Sequence, residues 1–447
     1  MWGGVFFVRL LLPVATTVLA ACSVADQYSG RAVGYNVEAE QAQQQALLLN
    51  IVRASMGRPM QFTSVQTITG TASVMASGGL LTIPFGPHIA GTPNTGSLTG
   101  SVSGGPTFTV PVLDTQEFYQ GILSPIPGQI LDLYLNSGYP RELIFSLFVE
   151  RIVMRRLDDG CSRINHTVRC ELTFQNYVEE DPNYDLFQMF IEYLLNSGLR
   201  TEPAPPAKSG GAGQKSAASG DGSASSTATP ALSGFTLCFA PQLEEYARYV
   251  PPISRCGSPL RLAQGGGARA KSYATSIIMP AYFVENLRKV AGQYRTRDPI
   301  KDYAHNLASF TGKHVSLTIY TRHTEGVFYY LGEIVRRQQD RRLPRYIQVR
   351  SAKGGLYPIQ PCYPDADSDH PDPQHRNPCQ NLFVVEASGA PAFLSVAYDG
   401  SVYAIPSDPD RAGRSYFVLD VIKQLLAINT SAKSLPAANV LSVVNAP

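Results

Sequence analysis

The stretch GSLTGSVSGGPTFTVPV, residues 96–112, alternates with a period of two. Its odd positions from Ser97 to Thr109 carry hydroxyl residues and one glycine, whereas its even positions from Leu98 to Val112 are apolar, glycine or proline. Side chains on a β-strand point alternately to opposite faces, so the pattern predicts a strand with one polar face and one apolar or small face.

The stretch belongs to a longer segment that carries no formal charge. From Pro59 to Leu113, 55 residues contain no Asp, Glu, Lys or Arg. A second alternating run covers residues 65–82 and leads into a Pro- and Gly-rich tip at 81–94. Segment 59–113 therefore predicts a β-hairpin. Its even positions supply the candidate membrane-facing residues, which are Ile68, Ala72, Val74, Leu98, Val102, Phe108 and Val110.

Three interpretations of this hairpin compete. A strand that crosses a membrane needs about 9–11 residues, alternating faces and no charge towards lipid. Two strands alone leave unpaired edges, which are costly in lipid, so such a hairpin has to join hairpins from other copies in one closed ring. The alternatives are low-complexity chain without order and a hairpin packed on the protein's own sheet. Glycines at even positions weaken the membrane interpretation, because they bury little area.

The N-terminus predicts export and a lipid anchor. Residues 1–21 place a positive charge at Arg9 before the apolar run 10–18, which is the layout of an export signal. Leu19-Ala20-Ala21-Cys22 resembles the bacterial lipobox, whose cysteine is acylated. The resemblance implies a lipid on Cys22, and the following Ser23 implies sorting to the outer membrane. We therefore expect a lipid-anchored outer-membrane protein of a bacterial envelope.

Six further cysteines predict disulfides. An oxidising envelope favours disulfide bonds, and short loops close most easily, although six cysteines allow 15 pairings. No zinc-ligand spacing occurs among them, so no metal site is predicted. The expected pairs are Cys161 with Cys170, Cys238 with Cys256, and Cys362 with Cys379.

The predicted fold class is α+β, a helical N-terminal body with a long uncharged β-hairpin, followed by a mixed α/β C-terminal domain. Residues 203–234 contain no aromatic residue and resemble a disordered linker. A helix is expected at about 141–156. The predicted divisions are 1–21 (lipoprotein signal peptide), 22–58 (anchor and N-terminal helix), 59–113 (hairpin), 114–202 (helical region), 203–234 (linker) and 235–447 (α+β domain).

Catalytic and nucleic-acid functions have little support in the sequence. The formal net charge of +2 argues against a nucleic-acid partner. No nucleophile-elbow, zinc-helix or phosphate-loop motif occurs. Glu142, Glu150 and Glu333 are candidate acids, but each fits a helix surface. We therefore predict no enzyme, no catalytic residue, no metal and no cofactor.

Four segments carry a family resemblance: ALLLN with IVR (46–53), LSPIP (123–127), GVFYYLGE (326–333), and LLAIN with SAK (425–433). In these segments the chain is similar to a set of uncharacterised proteobacterial outer-membrane lipoproteins. The resemblance implies a lipoprotein of the cell envelope and no activity. The layout is analogous to that of curli-secretion lipoproteins, which form multi-chain pores, but no motif matches.

These patterns lead to one hypothesis and one alternative. The hypothesis is an outer-membrane lipoprotein that forms homo-oligomers and contributes its hairpin to a multi-chain pore or export channel. The alternative is a periplasm-facing lipoprotein that acts as a scaffold or partner-binding component of an envelope assembly. The expected partners are the membrane, through the lipid, further copies of the chain, and envelope-complex proteins.

Overall fold

The structure is a computed structural model that confirms the α+β class. Helices are the larger component and antiparallel sheets the smaller one, so both kinds of element contribute to the fold. The residues that the structure describes are 33–63, 67–76, 100–109, 112–158, 170–178, 181–203, 235–258, 272–293, 306–340, 347–350, 379–387 and 391–429.

The principal helices are numbered in chain order. No helix in the described ranges is both long and apolar enough to cross a bilayer. The principal helices are α1 (33–55), α2 (Gln116–Ile122), α3 (Gly128–Asn136), α4 (Arg141–Phe148), α5 (Asp181–Asn196), α6 (Glu244–Ala247), α7 (Ala281–Gln293), α8 (Thr324–Gln338), α9 (Pro409–Ala412) and α10 (Ser415–Asn429).

The strands form several small antiparallel sheets and one larger one. They are β1 (Thr67–Ala76), β2 (Gly100–Thr109), β3 (Val149–Arg156), β4 (Glu171–Gln175), β5 (Leu199–Pro203), β6 (Phe235–Phe239), β7 (Ser272–Ile278), β8 (His314–Thr321), β9 (Gln348–Arg350), β10 (Cys379–Asn381), β11 (Glu386–Ala387), β12 (Ala392–Tyr398) and β13 (Ser401–Pro406).

The chain divides into two compact units. The first takes the described residues within Met1–Ala46 and Gln61–Gln116, and therefore contains the β1–β2 hairpin. The second takes Leu47–Met60 and the described residues within Glu117–Thr430, and contains every other sheet.

The second unit is organised around a four-stranded sheet in the order β4-β3-β8-β7. Along β8 buried and partly exposed residues alternate, as the two-residue period requires when one face of a sheet is covered. Helix α5 lies over this sheet, because Phe174 of β4 stacks on Phe190 of α5 with ring centroids 4.4 Å apart. Tyr193 of α5 stacks in turn on Phe283 of α7 at 4.1 Å.

The prediction of a helix at about 141–156 is wrong for its second half. Helix α4 ends at Phe148, and the chain continues directly into strand β3. β3 is an inner strand that pairs with β4 on one side and β8 on the other. Hydrogen bonds on both edges and the β-branched residues Val149, Ile152 and Val153 outweigh the local helical pattern.

The predicted boundary between a helical region at 114–202 and a separate domain at 235–447 also differs from the structure. β3 and β4 precede segment 203–234 and β7 and β8 follow it, yet all four strands share one sheet. β5 and β6 flank the same segment and pair directly, with Pro203 opposite Phe235. The segment therefore joins two neighbouring strands of one compact unit, although residues 204–234 themselves lie outside the described part.

Helix α8 occupies a central place in the second unit. Its side chains Val327, Leu331 and Ile334 are fully buried. Gly332 permits the close approach of α1, because a Cβ atom there would lie only 2.7 Å from the backbone nitrogen of Ser55. This contact explains why a glycine lies in the middle of a 15-residue helix.

Candidate functional site

The β1–β2 hairpin pairs its two strands in a register that keeps like residues together. β1 and β2 contain 10 residues each and run antiparallel. Ile68 is paired with Phe108, and Val74 with Val102. Residues directly opposite each other lie on the same face of a ladder. The remaining pairs of this set, Gly70–Pro106, Ala72–Gly104 and Ala76–Gly100, are small or apolar as well.

The other face of the hairpin carries mainly hydroxyl residues, with Met75 and Gly105 as the two exceptions. Thr67 is paired with Thr109, and Ser73 with Ser103. A bridge between Thr63 and Val112 continues the pairing towards the hairpin base, where the Leu113 nitrogen donates to the Phe62 carbonyl at 2.9 Å. Five of the seven predicted membrane-facing residues therefore lie on β1 or β2, whereas Leu98 and Val110 lie outside the described residues.

Cys238 and Cys256 form a disulfide in the second unit. Cys170 is also disulfide-bonded, although Cys161 lies outside the described residues. The backbone of Cys379 belongs to β10, and Cys22 and Cys362 again lie outside the described residues.

Glu202 lies within 4.8 Å of the sulfur atoms of Cys238 and Cys256. Bonded sulfurs are not thiolates, so this group does not supply the ligands that a structural zinc site requires.

A cavity of about 420 Å³ lies in the second unit between β3, the end of β4 and the start of α8. Tertiary folding alone brings these segments together, since the lining residues are spread from position 150 to position 333. The lining residues are Glu150, Tyr177, Val178, Arg322, His323, Gly326, Tyr329, Tyr330 and Glu333.

Arg322, between β8 and α8, is the buried cation of this cavity. Its Nη1 donates to the carbonyls of Ser146 and Leu147 at 3.0 Å each, and its Nη2 donates to the carbonyl of Asn176. Ser146 and Leu147 belong to the last turn of α4, so the guanidinium caps the negative end of that helix. Within the described ranges no carboxylate forms an ion pair with Arg322.

The environment of Arg322 combines desolvation with aromatic contact. Burial lowers the pKa of Arg322, and electrostatic interactions with Tyr330 and Glu150 oppose this effect. The guanidinium carbon lies 3.9 Å from the centroid of the Tyr330 ring, a cation–π arrangement. The guanidinium of Arg322 therefore covers one face of the Tyr330 ring.

His323 forms the N-cap of α8. Its Nδ1 accepts a hydrogen bond from the Gly326 nitrogen at 2.8 Å, so the neutral ring carries its proton on Nε2. The ring lies against Gly326, because a Cβ atom there would be 3.1 Å from the His323 Cε1 atom. The glycine thus leaves room for the imidazole at the cavity wall.

Two carboxylates complete the polar lining. The sequence placed both on helices, which is correct for Glu333 and wrong for Glu150. Glu150 lies on β3 rather than on a helix, and its Oε1 accepts from the Tyr177 hydroxyl at 2.9 Å. Glu333 lies on α8, and its Oε2 accepts from Arg336 Nη2 at 2.7 Å. Burial raises the pKa of Glu333, an effect that Arg337 opposes. Burial also raises the pKa of Tyr177, and its hydrogen bond to Glu150 raises it further.

Sequence reasoning identified Glu150 and Glu333 as isolated acids but missed Tyr177, Arg322 and His323. The one local signal was His323 immediately before Thr324 and Glu325, an order that suits a helix start. Nothing in the sequence connects residue 150 or 177 with residues 322–333, because no spacing rule links strands so far apart in the chain.

Comparison with known proteins does not assign the chain to a family. A scan against protein-family models finds no match, and searches of curated proteins and of solved structures find no significant relative.

Proposed function

We propose that this protein is a lipid-anchored outer-membrane protein that assembles with copies of itself and contributes its β1–β2 hairpin to a shared pore or export channel. The observation that carries the proposal is the register of the hairpin. Apolar and small residues are paired with one another, as in Val74–Val102, and most hydroxyl residues are likewise paired, as in Ser73–Ser103. The hairpin therefore has the two chemically different faces that lipid on one side and water on the other require.

The length and the charge of the strands support the same proposal. Each strand has 10 residues, within the range of about 9–11 that spans a hydrocarbon layer. Neither strand contains a charged residue. A soluble hairpin gains solubility from charged side chains on its exposed face and its edges, so a charge-free ribbon of this length is better suited to lipid.

The edges of the hairpin explain why several copies are needed. Among the described residues, β1 and β2 form a two-stranded sheet and pair only with each other. Each outer edge thus presents backbone groups that cost several kcal/mol apiece when they face hydrocarbon without a partner. Hairpins from neighbouring copies supply those partners when the ring closes.

Arginine substitution on the two faces tests the proposal. In Val74→Arg/Val102→Arg, each arginine faces lipid and costs about 2–4 kcal/mol at the bilayer midplane, so membrane-inserted oligomers and channel conductance should be lost. Ser73→Arg/Ser103→Arg introduces the same two charges at the adjacent pair on the watery face, and it should retain both. Oligomers are measured by native electrophoresis of the detergent-extracted full chain, and conductance in planar bilayers.

Equal behaviour of the two double variants would overturn the pore and favour the scaffold alternative, in which the hairpin does not enter lipid. The anchor has a separate test. Metabolic labelling with a palmitate analogue should label the wild type and leave Cys22→Ser without label. If Cys22→Ser retained the label, Cys22 would not be the acylated residue, and the lipid anchor would be withdrawn from the proposal.

A further inference from the structure

The cavity at the start of α8 has hydrogen-bond acceptors that the protein does not use. Glu150 engages one carboxylate oxygen with Tyr177, and Glu333 engages one with Arg336. Their other carboxylate oxygens accept no hydrogen bond from the described part of the chain. An ionised carboxylate has room for about four hydrogen bonds, so both residues retain capacity for a donor from outside.

Aromatic rings line the same cavity. Tyr177 and Tyr329 are 43% and 46% exposed, so parts of their surfaces remain open to an incoming molecule. Tyr330 differs, since Arg322 covers one face of its ring. Open tyrosine rings beside carboxylates attract a positive group, because the negative face of the ring adds to the charge of the acid.

The cations near the cavity offset these carboxylates only in part, through electrostatic interactions of Arg322 with Glu150 and of Arg337 with Glu333. Arg322 directs three hydrogen bonds to backbone carbonyls, two of them at the negative end of α4. Arg336 pairs with Glu333, but its side chain is 48% exposed, and solvent screens such a pair. Glu150 has no cation within ion-pair distance in the described ranges.

We infer that this cavity binds a small organic cation through its ammonium group. The ammonium donates to the unused oxygens of Glu150 and Glu333, and the rings of Tyr177 and Tyr329 contact its charged end. A volume of about 420 Å³ lies within the usual size range of small-molecule sites. This binding is independent of the pore, because every lining residue belongs to the second unit and the hairpin to the first.

Titration of the purified full chain with n-butylammonium, set against its neutral counterpart n-butanol, tests the inference. Calorimetry or ligand-observed NMR should detect saturable binding of the amine and none of the alcohol at the same concentrations. Glu150→Gln/Glu333→Gln keeps the shape of both side chains and should weaken amine binding at least tenfold, since charge-assisted hydrogen bonds are lost.

Glu285→Gln is the matched control. Glu285 pairs with Arg288 three residues later on α7, as Glu333 pairs with Arg336 on α8, but it does not line the cavity. It should leave affinity unchanged. Tyr329→Leu should weaken binding of tetramethylammonium, which has no N–H and depends on the ring. Thermal unfolding of each variant verifies that it is folded.

Glycerophosphoethanolamine, titrated in parallel, distinguishes a lipid-headgroup ammonium from a free amine. Saturable binding of either compound that the Glu150→Gln/Glu333→Gln variant weakens supports the inference. Three results overturn it: no binding of either, equal binding of butanol, or affinity that the double variant leaves unchanged. Saturable binding of acetate or of a neutral sugar, with no binding of the amine, overturns the inference as well.

Discussion

The guanidinium of Arg322 lies 3.9 Å from the ring centroid of Tyr330 while its nitrogens donate to backbone carbonyls at the end of α4. One side chain therefore connects three elements: it follows β8, contacts a ring on α8 and caps α4. Asn176 reinforces the same junction, because its Nδ2 donates to the carbonyls of Ser146 and Val149 at 2.8 Å each. The turn from α4 into β3 is held by side chains from distant segments.

Arg322→Lys should therefore destabilise the protein strongly. Lysine has no planar fork and cannot reach the carbonyls of Ser146, Leu147 and Asn176 together. We expect the free energy of unfolding to fall by about 3 kcal/mol, the scale of lost hydrogen bonds to a charged group. Urea unfolding measures this change. The control is Arg336→Lys at an exposed position, with an expected change within about 0.5 kcal/mol. Similar stabilities of the two variants would contradict the assigned role of Arg322.

Gly332→Ala should also destabilise, for a different reason. Its new Cβ atom would lie 2.7 Å from the Ser55 nitrogen, so α1 and α8 must separate. Overpacking of this kind costs about 1–3 kcal/mol. Gly34→Ala provides a helical comparison, because nothing lies within 4 Å of the added atom and alanine is the better helix former. A melting temperature for Gly332→Ala at or above that of Gly34→Ala would refute the close contact.

Asp158 should make stability depend on pH in the acid range. The hydrogen bond from Arg156 lowers the pKa of Asp158 below its ordinary 3.8; burial opposes the shift, and Lys313 adds to it. A carboxyl with a lowered folded pKa contributes stability above the unfolded value of 3.8, and this contribution disappears as pH falls through the folded value. Asp158→Asn should thus lower the melting temperature at pH 7, and this effect should diminish as the pH falls below 3.8.

The same variant in a Lys313→Met background gives the control for Asp158. Lys313 Nζ lies 3.3 Å from Asp158 Oδ2. Removing the lysine should therefore reduce the loss of melting temperature that Asp158→Asn causes at pH 7, without abolishing that loss. A difference between wild type and Asp158→Asn that stays constant from pH 7 to pH 2 would show that the charge of Asp158 contributes nothing.

The disulfide between Cys238 and Cys256 closes a loop with a sequence separation of 18. Loops of this size are worth about 3 kcal/mol, mainly because the bond restricts the unfolded chain. Cys238→Ser/Cys256→Ser should therefore unfold at a lower temperature than the oxidised wild type. Non-reducing peptide mapping checks the pairing itself, and recovery of Cys238 linked to any other cysteine would contradict it.

Local signals in the sequence determined several elements correctly. The Asp399-Gly400 turn joins β12 to β13, with φ angles of 50° and 76° that aspartate tolerates and glycine favours. Gly138 follows α3 with a φ of 83°, the left-handed conformation that a glycine after a helix end favours. These features depend on residues a few positions apart, so a linear pattern contains the information. The α+β class follows from the same local signals.

The sequence by itself also determined that residues 59–113 form a charge-free, two-faced segment, but only the tertiary structure decided which positions face each other across it. The same holds for β3, where hydrogen bonds to β4 and β8 changed half of a predicted helix into a strand. The cavity is the extreme case, since Glu150 and Glu333 line it together although they lie far apart in the chain. Pairing and packing depend on free energies summed over distant partners, and a pattern of neighbours along the chain does not contain them.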